Sequence, residues 1–208
     1  MKMLLLSLNP GALQPFLDST TSGGPLRVGY IGDAQVAYAG APFVTAERRA
    51  IEVLGHELVD ITVRELTASE FATILSAVDA VYVAGGSTFA LLEALKVTAN
   101  DVVLAERVRE GLPYIGCSAG SIIVGPDITP ASLMDDPADG PSLTEFTGLR
   151  LIDRTVIPHA DGMLEPYPPS LISETVAKYD STHQLLLLRD DQALLVEGDR
   201  ETVIDSNS

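Results

Sequence analysis

The hydrophobic positions of this chain fall into short dense runs separated by segments of helical spacing. Strands are predicted at Lys2–Ser7, Arg27–Ile31, Glu57–Val63, Ala80–Ala84 and Pro113–Cys117. Runs such as AVYVAG and RVGYIG show no in–out alternation, as expected of strands buried on both faces of a parallel sheet. Helices are predicted between them at Pro42–Leu54, Ala68–Leu75, Thr88–Leu95 and Asn100–Glu110. In the third, Phe89, Leu92 and Leu95 share one helical face. In the fourth, Val103, Arg107 and Glu110 are helix neighbours, and Gly111 and Pro113 supply the stop. Farther on come a strand at Thr155–Pro158, a helix near Ser170–Tyr179, and strands at Gln184–Leu188 and Ala193–Glu197. The last two are expected to form a hairpin around Arg189–Asp191. The βαβαβα order predicts a single α/β domain over residues 1–208, a three-layer sandwich with a mainly parallel central sheet. In such folds ligands bind at the carboxyl ends of the strands.

Composition narrows the function more than the fold. The 208 residues carry 13 Lys+Arg against 29 Asp+Glu, a net charge of −16. That balance disfavours nucleic acid and anionic membrane surfaces as partners, because both need clustered cations. It is no sign of disorder, since 46% of residues are hydrophobic and only 20% charged. Aromatics make up 5% with no Trp, so the core must be aliphatic. One Cys excludes an internal disulfide framework and a multi-Cys zinc site. Three His, none in an HxxxH pair, argue against a His-rich metal centre, and no cofactor is expected. No apolar run reaches the length of a membrane span. The start, MKMLLLSLNP, is too short in its apolar part for a signal peptide and reads as a buried strand, so a cytoplasmic protein is expected.

The segment PYIGCSAGSIIVG, from Pro113 to Gly125, carries the strongest chemistry. A strand runs straight into Gly116-Cys117-Ser118-Ala119-Gly120, the G-x-S-x-G pattern of a nucleophile elbow. The central residue of such an elbow sits on a sharp strained turn, so the positions two residues away must be small. The turn lifts the Ser118 oxygen out of the sheet. The helix that follows aims its first N–H groups toward a developing oxyanion, the Ala119 N–H first among them. Cys117 falls one place before the centre and should point back into the sheet as a small buried hydrophobe.

Two further strand ends bear on the same site. Ala84-Gly85-Gly86-Ser87-Thr88-Phe89 follows one strand and opens a helix. Its glycines allow close backbone approach and a second oxyanion donor. The plainer alternative is an ordinary turn with Ser87 or Thr88 as the helix N-cap. His159 ends the strand TVIP and is the best-placed general base. His56 precedes a strand and belongs at the opposite edge, and His183 lies before the expected hairpin. For the acid that orients the imidazole, Asp135 and Asp136 fall between Ser118 and His159, with Glu145, Asp127 and Asp161 competing.

Together, GGSTFALLEAL at 85–95, IGCSAGSIIVGPDI at 115–128 and IPHADG at 157–162 resemble peptidase family S51, which includes the dipeptidase E (α-aspartyl dipeptidase) group and the more distant cyanophycinases. VGYIGDAQVAYAG at 28–40 is similar to the family's second strand and loop. The resemblance implies a class I glutamine amidotransferase-like (flavodoxin-like) fold with serine as nucleophile. It implies Ser118 as nucleophile, His159 as base, an oxyanion hole from the Ala119 and Gly86 N–H groups, and a triad acid between nucleophile and base. Asp136 is the first choice for that acid and Asp135 the second.

The chain departs from the family pattern in two places. Ser87 stands where the family usually has Asn after the double glycine. The stretch His159–Glu174 holds no Lys or Arg, where Asp-specific members carry a basic residue, and it contains Asp161, Glu165 and Glu174. Preference for an amino-terminal Asp is therefore not expected, and Asp161 or Glu165 is expected to meet the free amino group of a short peptide. The expected function is a serine peptidase acting on dipeptides or short peptides through an acyl-enzyme, as a monomer or homodimer. Rival expectations are an esterase or amidase on the same scaffold, and a non-catalytic ligand-binding protein in which His159 lies out of reach of Ser118. A nucleotide site at AGGSTF is weaker still, since no G-x-x-x-x-G-K-[ST] is present.

Overall fold

The computed structural model describes residues 1–20 and 23–207. The amino-terminal half alternates β1 (Lys2–Leu6), α1 (Leu13–Asp18), β2 (Arg27–Ile31), α2 (Pro42–Glu52), β3 (Glu57–Ile61), α3 (Ala68–Leu75), β4 (Ala80–Val83), α4 (Thr88–Lys96), α5 (Asn100–Arg109) and β5 (Tyr114–Cys117). There follow a one-turn helix α6 (Ala119–Ile122), β6 (Thr155–Ile157), α7 (Pro169–Tyr179), β7 (Leu185–Leu187), β8 (Gln192–Glu197) and β9 (Arg200–Asp205).

Seven strands form the central sheet in the order β3-β2-β4-β5-β1-β8-β9. The first five are parallel, and β8 and β9 extend the sheet antiparallel beside β1. The mainly parallel α/β architecture expected from the hydrophobic runs is therefore present. Burial on both faces explains those runs. Along β1, Met3 and Leu5 enter one core cluster and Leu4 and Leu6 the other. Along β4, Val81 and Val83 face the first cluster while Ala80 and Tyr82 face the second. The first cluster is covered by α3, α4, α5 and α6, and the second takes Leu13, Phe16 and Leu17 of α1 and Ile51 of α2.

Local sequence fixes several helix starts. Thr67 and Glu70 form a reciprocal capping box at α3. The Ser87 hydroxyl accepts the Ala90 N–H at the start of α4, so the N-cap expectation for that residue holds.

The expected hairpin around Arg189–Asp191 does not form. β7 pairs instead with β6, parallel, in a separate two-stranded sheet. β8 makes its hairpin with β9, a strand the hydrophobic pattern did not announce because its side chains alternate between exposed and half-buried. α1 was also missed, its six residues being too few to display a period. Among the described residues, no helix is long and apolar enough to cross a membrane.

Candidate active site

β5 ends at Cys117, and the next residue, Ser118, has φ 45° and ψ −105°. That is a rare conformation for a residue with a Cβ, costing of order 1–3 kcal/mol unless its surroundings enforce it. The flanking glycines do so. A Cβ on Gly116 would lie 2.4 Å from the Gly120 carbonyl oxygen, and one on Gly120 would lie 2.1 Å from the Val83 carbonyl oxygen of β4. Only bare backbone lets the turn close this tightly against the neighbouring strand. The Ser118 N–H donates to the Leu6 carbonyl of β1, and its own carbonyl accepts the N–H groups of Ser121 and Ile122. The Ser121 hydroxyl donates within reach of the Leu6 and Gly116 carbonyls, and the Tyr114 hydroxyl donates to the Gly120 carbonyl.

Ser118 Oγ lies 3.0 Å from His159 Nε2. His159 follows β6, is 2% exposed and itself has φ 57°. Its loop is tied to the end of β1: the His159 N–H donates to Ser7 Oγ, and that hydroxyl donates to the Leu188 carbonyl. On the other side of the ring, Nδ1 is 2.6 Å from Asp190 Oδ1. With a carboxylate there, Nδ1 carries the proton and Nε2 is left to accept from Ser118. Tyr167 stacks on the imidazole, with ring centroids 4.8 Å apart and planes 8° from parallel.

The acid beside His159 is thus Asp190, and neither Asp135 nor Asp136 takes that place. Asp136 is exposed, and its side chain accepts the Ala138 N–H in a short 3₁₀ turn. Asp135 points to the other side of the site. Its Oδ2 accepts both the N–H (3.0 Å) and the hydroxyl (2.5 Å) of Thr88, and its Oδ1 lies 3.5 Å from the Tyr167 hydroxyl. Burial pushes its carboxyl above the usual range, against the pull of the Thr88 hydrogen bonds. The competing acids are placed elsewhere: Glu145 pairs with Lys96, and Asp127 accepts the Thr129 N–H. The sequence order is therefore Ser, His, Asp. Tyr167 was also missed, since an aromatic in a Pro-rich stretch gives no periodic signal.

Of the acids expected near the substrate amine, Asp161 Oδ2 accepts the Asp190 N–H at 3.2 Å, so this side chain braces the residue beside His159. Glu165 is exposed. Cys117 is buried, as its place in the elbow implies, and desolvation pushes its thiol well above the ordinary value. It is not a thiolate nucleophile in this setting.

The loop after β4 supplies backbone donors beside the elbow. A Cβ on Gly85 would be 3.4 Å from Ser118 Cβ. Four of five successive N–H groups here have acceptors: Ala84 to the Ile31 carbonyl, Gly85 to Glu47 Oε1, Ser87 to the Ala34 carbonyl, and Thr88 to Asp135. Among the described residues, the Gly86 N–H has no partner, nor does that of Ala119 at the first turn of α6. Gly86 has φ 134°, and a Cβ there would meet the Ala34 carbonyl oxygen at 2.2 Å, so only glycine fits. Two N–H groups without intramolecular acceptors, from loops in contact at a half-buried Ser–His pair, can stabilise negative charge on a carbonyl oxygen.

Known proteins similar in sequence and fold bear directly on the chain. An uncharacterized peptidase of Listeria innocua is 33% identical over 160 residues, 73% of this chain and 75% of that protein. The peptidase E of Streptomyces coelicolor is 32% identical over 211 residues, 96% of this chain and 82% of its own. A crystal structure of a Listeria monocytogenes protein described as a candidate peptidase E superposes with a TM-score of 0.87 at 26% identity, covering 98% of both chains. A peptidase from an acI-B1 actinobacterium shares the fold, with a TM-score of 0.71 at 18% identity over 98% of this chain and 87% of that one. The model of peptidase family S51 matches residues 7–204, and the chain, a hydrolase of the peptidase class, belongs to that family.

Proposed function

We propose that the protein is a serine peptidase that hydrolyses dipeptides or short peptides through Ser118, His159 and Asp190. The observation that carries this reading is the continuous hydrogen-bonded line from Ser118 Oγ to His159 Nε2 (3.0 Å) and from His159 Nδ1 to Asp190 (2.6 Å). It starts at a strained elbow, and backbone strain of this kind clusters at functional sites.

In the proposed reaction, His159 Nε2 takes the proton of Ser118 as its oxygen attacks the peptide carbonyl carbon. The carbonyl oxygen becomes an oxyanion and is met by the Gly86 and Ala119 N–H groups. The imidazolium, held by the Asp190 carboxylate, gives its proton to the departing amine as the C–N bond breaks. Water then enters, loses a proton to Nε2 and cleaves the acyl-enzyme ester, returning Ser118 to its hydroxyl form. Tyr167 covers one face of the imidazole and restricts its rotation. The loop beyond His159 offers no cation for an acidic substrate side chain and carries Glu165 for the substrate's amino end.

The non-catalytic alternative required His159 to be out of reach of Ser118, and the short contact between them favours catalysis. The test is Ser118→Ala assayed against a library of X-Leu and X-Ala dipeptides alongside fluorophosphonate labelling. Loss of both hydrolysis and labelling is expected. Labelling that persists in Ser118→Ala would refute the assignment.

A further inference from the structure

Glu47 lies on α2, and Gly85 lies in the loop after β4, yet the Glu47 carboxylate reaches across to that loop. The residue is half-buried along its helix, and its carboxylate is the part held deep in the protein. Oε1 accepts the Gly85 N–H at 3.0 Å and the Tyr82 hydroxyl at 2.9 Å. Oε2 accepts the Gln35 side-chain amide at 2.7 Å, and Gln35 in turn accepts the Tyr30 hydroxyl at 3.0 Å. Three protein donors thus hold this carboxylate in place. It is also close to the chemistry. A Cβ on Gly85 would lie 3.4 Å from Ser118 Cβ and 3.7 Å from Glu47 Oε2.

We propose that Glu47 is a positioning residue for the oxyanion-binding loop, acting through the Gly85 N–H to set the direction of the unpartnered Gly86 N–H. The peptide plane between Ala84 and Gly85 is fixed by that hydrogen bond. The Ser87 N–H, held by the Ala34 carbonyl, fixes the chain on the other side. Gly86 between them has a backbone conformation with no intrinsic preference for one donor direction, because glycine is the least restricted residue. Two anchors are therefore needed, and Glu47 is the one made by a side chain. The inference rests on the serine-peptidase reading above.

A positioning role makes a distinctive kinetic prediction. The Gly86 donor acts on the oxyanion, not on the ground-state peptide, so displacing it lowers kcat and leaves KM unchanged. A misplacement on the scale of 1 Å costs about 100-fold in rate. Glu47→Gln keeps an acceptor oxygen for Gly85. Its new amide is accommodated if the Gln35 amide turns over, since Gln35 then accepts from it and donates to the Tyr30 hydroxyl oxygen.

The experiment measures the second-order rate of fluorophosphonate labelling, with kcat and KM for the best X-Leu dipeptide, in wild type, Glu47→Gln, Glu47→Ala and Ser118→Ala. The expected result is labelling and kcat slowed about 100-fold in Glu47→Ala, KM unchanged, and near-wild-type behaviour in Glu47→Gln. Should Glu47→Ala fail to fold, Glu47→Asp takes its place: the acceptor is drawn back by one methylene, and labelling must slow. Wild-type labelling rates in the Ala or Asp variant, a matching rise in KM, or a Gln variant as slow as the Ala one overturns the role of Glu47. Labelling that survives Ser118→Ala overturns the serine-peptidase reading instead, so the two failures are distinguishable.

Discussion

His159 Nδ1 and Asp190 Oδ1 are 2.6 Å apart, and the Asp190 backbone is held in turn by Asp161 at 3.2 Å. The carboxylate selects the imidazole tautomer in which Nε2 faces Ser118 as an acceptor. Asp190→Asn replaces one oxygen by an amide, which permits the wrong tautomer. By analogy with the Ser-His-Asp triad, kcat should fall about 10⁴-fold with little change in fold. Asp136→Asn should leave kcat within about twofold, because this exposed carboxylate is bonded to the Ala138 N–H of its own turn and not to the imidazole. Steady-state kinetics on the same dipeptide compare the two.

Asp135 is the third acid with a distinct task. Its Oδ2 holds both the N–H and the hydroxyl of Thr88 at the start of α4. Asp135→Ala strips the partner from two enclosed donors, each costing about 1–3 kcal/mol when left unsatisfied. A clear drop in Tm is expected, whereas Asp136→Ala removes one exposed turn hydrogen bond and should shift Tm little. Thermal melts of the two variants side by side check the contrast, and equal shifts would contradict it.

The elbow glycines give a separate prediction. A methyl group on Gly120 would lie 2.1 Å from a backbone oxygen of β4, which no side-chain movement relieves. Gly120→Ala should therefore force β4 and α6 apart and remove Ser118 from reach of His159. Activity should be lost beyond about 100-fold, since a 1 Å displacement of the reacting group has that cost. Retained activity in a folded Gly120→Ala protein would show that the elbow tolerates a gap.

The pattern of hydrophobic runs was enough for the parallel sheet, because strands buried on both faces leave unbroken apolar stretches in the sequence. The elbow was legible for a similar reason: its glycines are demanded by backbone contacts at 2.1–2.4 Å, so the motif is a direct imprint of geometry. Asp190 was not legible, and the cause is the mistaken hairpin. If Leu185–Leu187 and Gln192–Glu197 paired antiparallel, Arg189–Asp191 would be a solvent turn. In fact β7 runs parallel to β6, so both strands end at the same edge and deliver His159 and Asp190 side by side. Strand pairing is a long-range property that short apolar runs do not encode. Glu47 was hidden likewise, because its partners Gln35, Tyr82 and Gly85 come from separate elements.

The pH dependence of stability provides the last test. Burial raises the Glu47 carboxyl above its usual range, and the hydrogen bonds from Gly85, Tyr82 and Gln35 offset this only in part. A raised acid binds its proton more tightly folded than unfolded. Below the unfolded value, about 4.3 for Glu, both states are protonated and the contribution to stability is fully present. As the pH rises through that value toward the folded one, the native state holds the extra proton, so stability falls and then levels off. Gln at this position does not titrate. The Tm of Glu47→Gln relative to wild type should therefore rise from acid toward neutral pH and reach a plateau. Groups shifted the other way, such as Glu93 beside Arg64, are common to both proteins and cancel in the difference. Melts from pH 4 to pH 8, within about the span over which carboxylates with raised values titrate, measure it directly. A difference that shrinks with rising pH would mean that the hydrogen bonds to Glu47 outweigh its burial.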